Sequence, residues 1–213
     1  DGVVLISPAL ELALQQGTAW ELLPWVVRVP TMAAVARAQG KAEGGLEPEP
    51  RAALADAEAF AIGPLLAGLA RGASLPAVDR EALAAGLARL IGLPAGQVVR
   101  DRGRIGVRGF AERLLEADGR IVSLYDGAQS TPRGPGGRDD DVHLTRMTAA
   151  LAAATSQHLR DTLEVDTVLP YRVLNREVFR GWNWDGEGGR GRGRAGSAAE
   201  LARALAGTPG LRV

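Results

Sequence analysis

The sequence contains no cysteine. That excludes a disulfide framework, a thiolate nucleophile and any cysteine-ligated zinc. Lysine is almost missing: of 25 basic residues only Lys41 is a lysine, and the rest are arginines. Neither charge sign is in surplus, with 25 basic against 25 acidic residues. A neutral chain is poorly suited to gripping nucleic acid or an anionic membrane, because both rest on excess positive charge. No apolar run approaches the roughly 18 residues of a membrane span. A Gly-x-Ser-x-Gly elbow, which would expose a nucleophilic hydroxyl at a strand-to-helix turn, is absent around all six serines. Ser7 follows an apolar run, but Pro8 removes the next amide from any oxyanion hole.

What is present favours helix. Apolar residues make up 46% of the 213, enough for a sizeable core. Alanine, leucine, arginine and glutamate, the strong helix formers, dominate. Arginine in place of lysine and heavy alanine use fit a GC-rich, bacterial coding sequence. Two short runs stand apart. Val3-Val4-Leu5-Ile6, closed by Ser7-Pro8, reads as a strand buried on both faces and hence parallel. Leu211-Arg212-Val213, after the turn Gly207-Thr208-Pro209-Gly210, reads as another. A chain that opens and closes on strands is expected to come from a longer α/β protein.

Between them the punctuation marks helices. Pro30 suits a first helical position, and Gly40 closes Thr31–Gln39 as a left-handed C-cap. Arg51–Ala61 and Leu65–Arg71 are helical, with Gly63-Pro64 kinking or splitting them. Asp79 is placed to cap a helix carrying Leu83, Leu87, Leu90 and Ile91, stopped by Gly92 and Pro94. Gly109–Ala117 buries Phe110, Leu114 and Leu115. Arg120–Tyr125 is extended, and Asp126–Asp141 is a polar loop. A long helix from Val142 to Leu163 carries Leu144, Met147, Leu151, Ala154 and His158 on one stripe. Ser197-Ala198-Ala199-Glu200 is a capping box.

The groups that could carry chemistry are few. His143 and His158 lack the i, i+3 or i+4 spacing of a metal pair on one helix face. Asp139-Asp140-Asp141 beside His143 reads as a solvated loop with Asp141 as N-cap, and His158 as a helix-edge packing residue. Gly191-Arg192-Gly193-Arg194-Ala195-Gly196 matches a dinucleotide fingerprint, but loop composition precedes it where a strand is needed. Of nine aromatic residues, four fall within Tyr171–Trp184. Concentrated tryptophan suits a ligand-pocket wall and equally a small-domain core.

The order of these pieces resembles the serine carboxypeptidase family of carboxypeptidase Y and cathepsin A, in its bacterial form. Val3–Leu10 resembles the strand after the nucleophile helix. Val29-Pro30-Thr31-Met32-Ala33-Ala34 through Gln39-Gly40-Lys41 resembles the first cap helix. Glu58-Ala59-Phe60-Ala61 with Gly63-Pro64, then Arg104-Ile105 with Phe110 and Leu114-Leu115, follow in family order. Asn175, Val178, Trp182 and Trp184 resemble the aromatic end of the cap. Ser197–Val213 resembles the return helix and the next core strand. The likeness spans nearly the whole chain.

The resemblance implies an α/β fold class: a fragment of an α/β-hydrolase fold, with two parallel strands flanking a mainly helical cap insertion. Residues 1–15 are then a core strand and the start of a crossover, 16–185 the cap, and 186–213 a loop, return helix and core strand. It implies hydrolysis of C-terminal peptide bonds by a Ser–Asp–His triad outside this chain, so no catalytic residue is assigned within it. Leu10 and Trp184, with Trp182, are expected to bind substrate. The expected partners are a peptide substrate and the rest of the hydrolase core, with no cofactor, metal, nucleic acid or membrane span. The resemblance fits a secreted or periplasmic location. Ser7-Pro8-Ala9 replaces the Gly-rich turn of eukaryotic members, and Asp126-Gly127-Ala128 lacks the arginine that usually follows in bacterial ones. The other readings are a non-catalytic helical interaction module and the cap of a different α/β-hydrolase, an esterase or acyltransferase.

Overall fold

The computed structural model describes residues 20–42, 50–134 and 141–181. The chain divides into a continuous unit, Trp25–Arg176, and a second unit drawn from both ends, Asp1–Pro24 with Glu177–Val213. In order, the described elements are α1 (Leu23–Val26), α2 (Val29–Ala38), α3 (Pro50–Phe60), a π-helical turn (Ala61–Leu65), α4 (Leu66–Arg71), a 3-10 turn (Gly72–Ser74) and α5 (Ala77–Ile91). They continue with α6 (Ala95–Arg100), α7 (Val107–Leu114), a second 3-10 turn (Glu116–Asp118), β1 (Arg120–Val122), β2 (Ser130–Pro132), α8 (Val142–Asp161) and α9 (Arg176–Gly181).

The continuous unit is built on α2 and α5. Helix α2 packs against α3, α5 and α7, and α5 also packs against α6. Val29, Met32, Ala33 and Ala36 form the buried face of α2, and Ala84, Leu87, Ala88, Leu90 and Ile91 that of α5. Leu65, Leu87 and Ile91 are fully buried, each contributing roughly 1.5–3 kcal/mol of apolar burial. The small residues Ala33, Ala36, Ala84 and Ala88 let the helices approach closely. At Gly86 an added Cβ would lie 2.8 Å from Phe60 Cε2, so the α3–α5 approach uses hydrogen where other residues carry a methyl.

Local chemistry sets the element ends. Pro30 occupies the first turn of α2, where its missing N–H costs nothing. Gly40, with φ +66°, ends that helix: its N–H donates to Arg37 O at 2.9 Å, and Lys41 N–H donates to Ala36 O at 2.8 Å. This is the Schellman arrangement. Pro64 has no N–H to donate, and its ring crowds the carbonyl four residues back. The chain answers with the π-helical turn Ala61–Leu65 and remains helical on both sides. Helix α5 begins two residues before Asp79, with Pro76 at its N-cap. Asp79 therefore does not cap; it stands in the first turn, where its charge meets the positive helix end, with Arg71 Nη1 at 4.0 Å. Gly92, at φ +68°, closes α5 against the Lys41 carbonyl, which a Cβ there would approach to 2.6 Å. Lys41 Nζ pairs with Asp118 Oδ2 at 2.7 Å.

The expected sheet is corrected. Among the described residues the sheet has two three-residue strands, β1 and β2, paired antiparallel with Arg120 opposite Pro132, Ile121 opposite Thr131 and Val122 opposite Ser130. They are not parallel strands flanking a cap. Parallel neighbours need a long crossover, whereas the short connection from Val122 to Ser130 admits only a hairpin. The runs at residues 3–6 and 211–213 lie outside the described residues. Strand β2 arises within the segment read as a polar loop: Ser130, Thr131 and Pro132 carry no apolar alternation to betray it.

The stripe on α8 is also corrected. Leu144 is half-buried, but Met147, Leu151, Ala154 and His158 are exposed, so His158 is not a packing residue here. An alanine-rich stripe offers little apolar area to drive burial.

Candidate functional site

A cavity of about 430 Å3 opens between α4, α5 and the turn after α6. Leu65, Leu69, Leu75, Leu83, Leu87 and Val98 give it an apolar wall, and three guanidinium side chains, Arg80, Arg102 and Arg104, also line it. This volume falls in the range of small-molecule sites, ~300–1,000 Å3. Gly68 shapes the wall from α4: a Cβ there would come within 2.5 Å of Leu83 Cδ2. Gly103, at φ +72°, lays its backbone on Leu65 and Leu69, each 3.6 Å from where a Cβ would stand.

The turn holding the arginines is unusual. Helix α6 ends as α2 does: Arg102 N–H donates to Val99 O and Gly103 N–H to Val98 O, both at 3.0 Å. In α2 the left-handed position of this motif is Gly40; in α6 it is Arg102, at φ +53°. An L-residue pays roughly 1–2 kcal/mol for that conformation. Arg104 is half-buried, and its Nε is fully shielded from solvent without a hydrogen-bond partner. Neither the Arg102 nor the Arg104 side chain has an ion-pair or hydrogen-bond partner among the described residues. Arg80 differs, donating from Nη2 to the Leu75 carbonyl at 2.9 Å. Nearby carboxylates are committed elsewhere, as Asp101 is to Arg113 Nη1 at 2.5 Å.

A second polar cluster surrounds the hairpin. The Ser123 hydroxyl donates to Asp141 Oδ1 at 2.9 Å and accepts from the Tyr125 and Asp126 amides at 3.1 and 3.0 Å. Asp141 also accepts from Leu124 N at 2.7 Å and caps α8 through Leu144 N at 3.0 Å. Gln129 Nε2 donates to Asp126 Oδ2 at 2.7 Å and lies 3.0 Å from His143 Nδ1. Burial opposes ionisation of Asp141, yet the Leu144 and Leu124 amides, the Ser123 hydroxyl and the His143 amide hold its carboxyl below the ordinary value. Asp126 is lowered by the Gln129 side chain and the Ala128 amide, with His143 adding to the effect.

This cluster holds serine, histidine and two aspartates, but not a nucleophilic arrangement. Ser123 spends its proton on a carboxylate rather than on an imidazole, and backbone amides occupy its lone pairs. The cluster is a structural joint. Among the described residues no group of three potential metal ligands occurs, and no helix is long and apolar enough to cross a membrane.

Of the residues singled out from sequence, Asp141 is the N-cap that its place before α8 implies. Leu10, Trp182 and Trp184 lie outside the described residues, as do Ser7, Asp139, Asp140 and the Gly191–Gly196 loop. Tyr171 is exposed. The cavity arginines escaped the sequence reading. The signal available was Asp101-Arg102-Gly103-Arg104, two arginines around a glycine directly after a short helix. Comparison of the chain with protein-family models, with curated proteins and with solved structures returns no match.

Proposed function

We propose that this chain is the segment of a serine-type carboxypeptidase that supplies the substrate-covering helical body and part of the pocket wall, with the catalytic triad elsewhere in the complete protein. The observation that carries the reading is the order of the motifs from Val3–Leu10 to Ser197–Val213. The division of the chain supports it: a continuous unit, Trp25–Arg176, is interposed between two terminal segments that belong to one unit. In this reading Leu10, Trp182 and Trp184 contact the acyl side of a peptide substrate, the isolated chain is inactive, and no cofactor takes part.

The test uses the complete protein. It should release the last residue from N-blocked dipeptides with a free C-terminal carboxylate and leave the corresponding amides intact. A fluorophosphonate probe should label a serine outside this segment. Ester turnover without peptide turnover would reassign the protein to the esterases, and labelling of any serine within the segment would sink the proposed division of labour. Trp184→Ala should lower kcat/KM for large apolar acyl-side residues by roughly 1–3 kcal/mol, mainly through KM. A drop in melting temperature with an unchanged substrate profile would make Trp184 a core residue instead.

A further inference from the structure

We propose that the cavity between α4, α5 and the turn after α6 binds an aliphatic carboxylate, its chain against the leucine wall and its head group on Arg102 and Arg104. This assignment does not depend on the peptidase reading, because all of its residues lie between Leu65 and Arg104.

The wall and the rim call for different halves of one ligand. Leu83, with the accessible edges of Leu69 and Leu75, offers only dispersion and water exclusion, which suit an unbranched or leucine-like hydrocarbon, and the fully buried Leu65 and Leu87 back this wall from the core. Arg102 and Arg104 offer planar, permanently charged donors, which match a carboxylate in geometry and sign. Both guanidiniums lack a partner among the described residues, although acidic residues are as numerous as basic ones in the chain. The shielded Arg104 Nε is a donor without an acceptor, a state that native proteins rarely leave unexplained. Arg102 holds a left-handed position that Gly40 fills in the matching motif of α2. Strain retained at a cavity edge, where glycine would relieve it, points to a use for the side chain.

The shared chemistry has two sources, a free fatty acid or the C-terminus of a peptide ending in leucine. Octanoate and its neutral counterpart octanol are titrated into the full chain by calorimetry, alongside N-acetyl-leucyl-leucine and its amide. Octanoate or the free-carboxylate peptide should bind saturably and about tenfold or more tightly than its neutral counterpart, the difference expected for a charge-assisted contact. Arg102→Gly and Arg104→Gln should each weaken carboxylate binding about tenfold while leaving octanol unchanged. Ala73→Trp, at an exposed lining position, should weaken both. Binding of octanoate alone assigns a fatty acid, and binding of the peptide, alone or with octanoate, a C-terminus; either upholds the site. Saturable binding by neither carboxylate, equal binding of charged and neutral partners, or unchanged binding in both arginine variants would overturn it. Arg102→Gly relieves strain, and its urea midpoint, expected at or above that of the native chain, separates loss of binding from loss of folding. The peptidase proposal fails separately, on turnover by the complete protein.

Discussion

Ser123, just past β1, donates its hydroxyl to Asp141, the N-cap of α8, at 2.9 Å. One carboxylate thus fastens the hairpin to the start of the longest helix among the described residues. Its Oδ1 also serves the Leu144 amide and its Oδ2 the Leu124 amide. Asp141→Ala should cost about 1–2 kcal/mol for the lost cap. Asp141→Asn should recover part of it, because asparagine caps as well. Thermal unfolding of the two variants checks this; equal losses would mean that charge, not capping, is the main contribution.

The same carboxyl gives stability a pH dependence. Its folded pKa lies below the ordinary value of 3.8, so the folded state binds the proton less readily than the unfolded state. The contribution is present above that ordinary value and is lost as pH falls through the folded one. The melting-temperature difference between the native chain and Asp141→Asn should therefore shrink as pH drops below about 4. Comparing the two chains removes the parallel effect of Asp126. A difference that stays flat with pH would refute the assignment.

Gly127 seats the hairpin connection on α2. Its carbonyl accepts from Gln39 Nε2 at 2.7 Å, and a Cβ at this position would collide with both Val35 methyl groups. Valine is stiff at χ1 and cannot swing aside. Gly127→Ala should cost about 1–3 kcal/mol by overpacking. Adding Val35→Ala should restore part of that loss, a non-additivity that chemical denaturation of the single and double variants would read.

Arg102→Gly should be neutral or stabilising by about 1 kcal/mol, since glycine removes the left-handed penalty and gives back some of it in chain entropy. The same substitution at the helical position Arg100 should destabilise by a similar amount. Urea midpoints of the pair provide the check: a large loss at Arg102 would show that its side chain supports the fold.

Most helices were legible because their ends carry residues with one physical meaning. Pro30, Gly40, Gly92 and Pro94 dictate boundaries by φ and by missing donors, and Asp141 caps where it should. Asp79 misled by three residues because a proline, Pro76, took the N-cap position without any side-chain bond. Strand β2 was hidden because its pairing depends on Ser130 contacts with Arg120, whose Nε donates to Ser130 Oγ at 3.0 Å, and not on apolar alternation. The parallel pairing expected of the terminal runs came from local apolar pattern, which says nothing of partners distant in sequence. The cavity was illegible for a related reason. Leu87 reads as an ordinary core residue, Leu65 and Val98 carry no signal of their own, and only the fold brings two unpartnered arginines to the edge of the space these residues line.

The scarcity of lysine turns the Lys41–Asp118 pair into an experimental handle. A lysine-specific endoprotease has one peptide bond to attack in these 213 residues, that between Lys41 and Ala42. The ammonium it must recognise is held by Asp118 at 2.7 Å, and the carbonyl it must attack is packed against Gly92. Scission therefore reports the release of Lys41 from Asp118 and from Gly92. The appearance of two fragments on a gel becomes a clock for that local opening, readable without any label or spectroscopic probe.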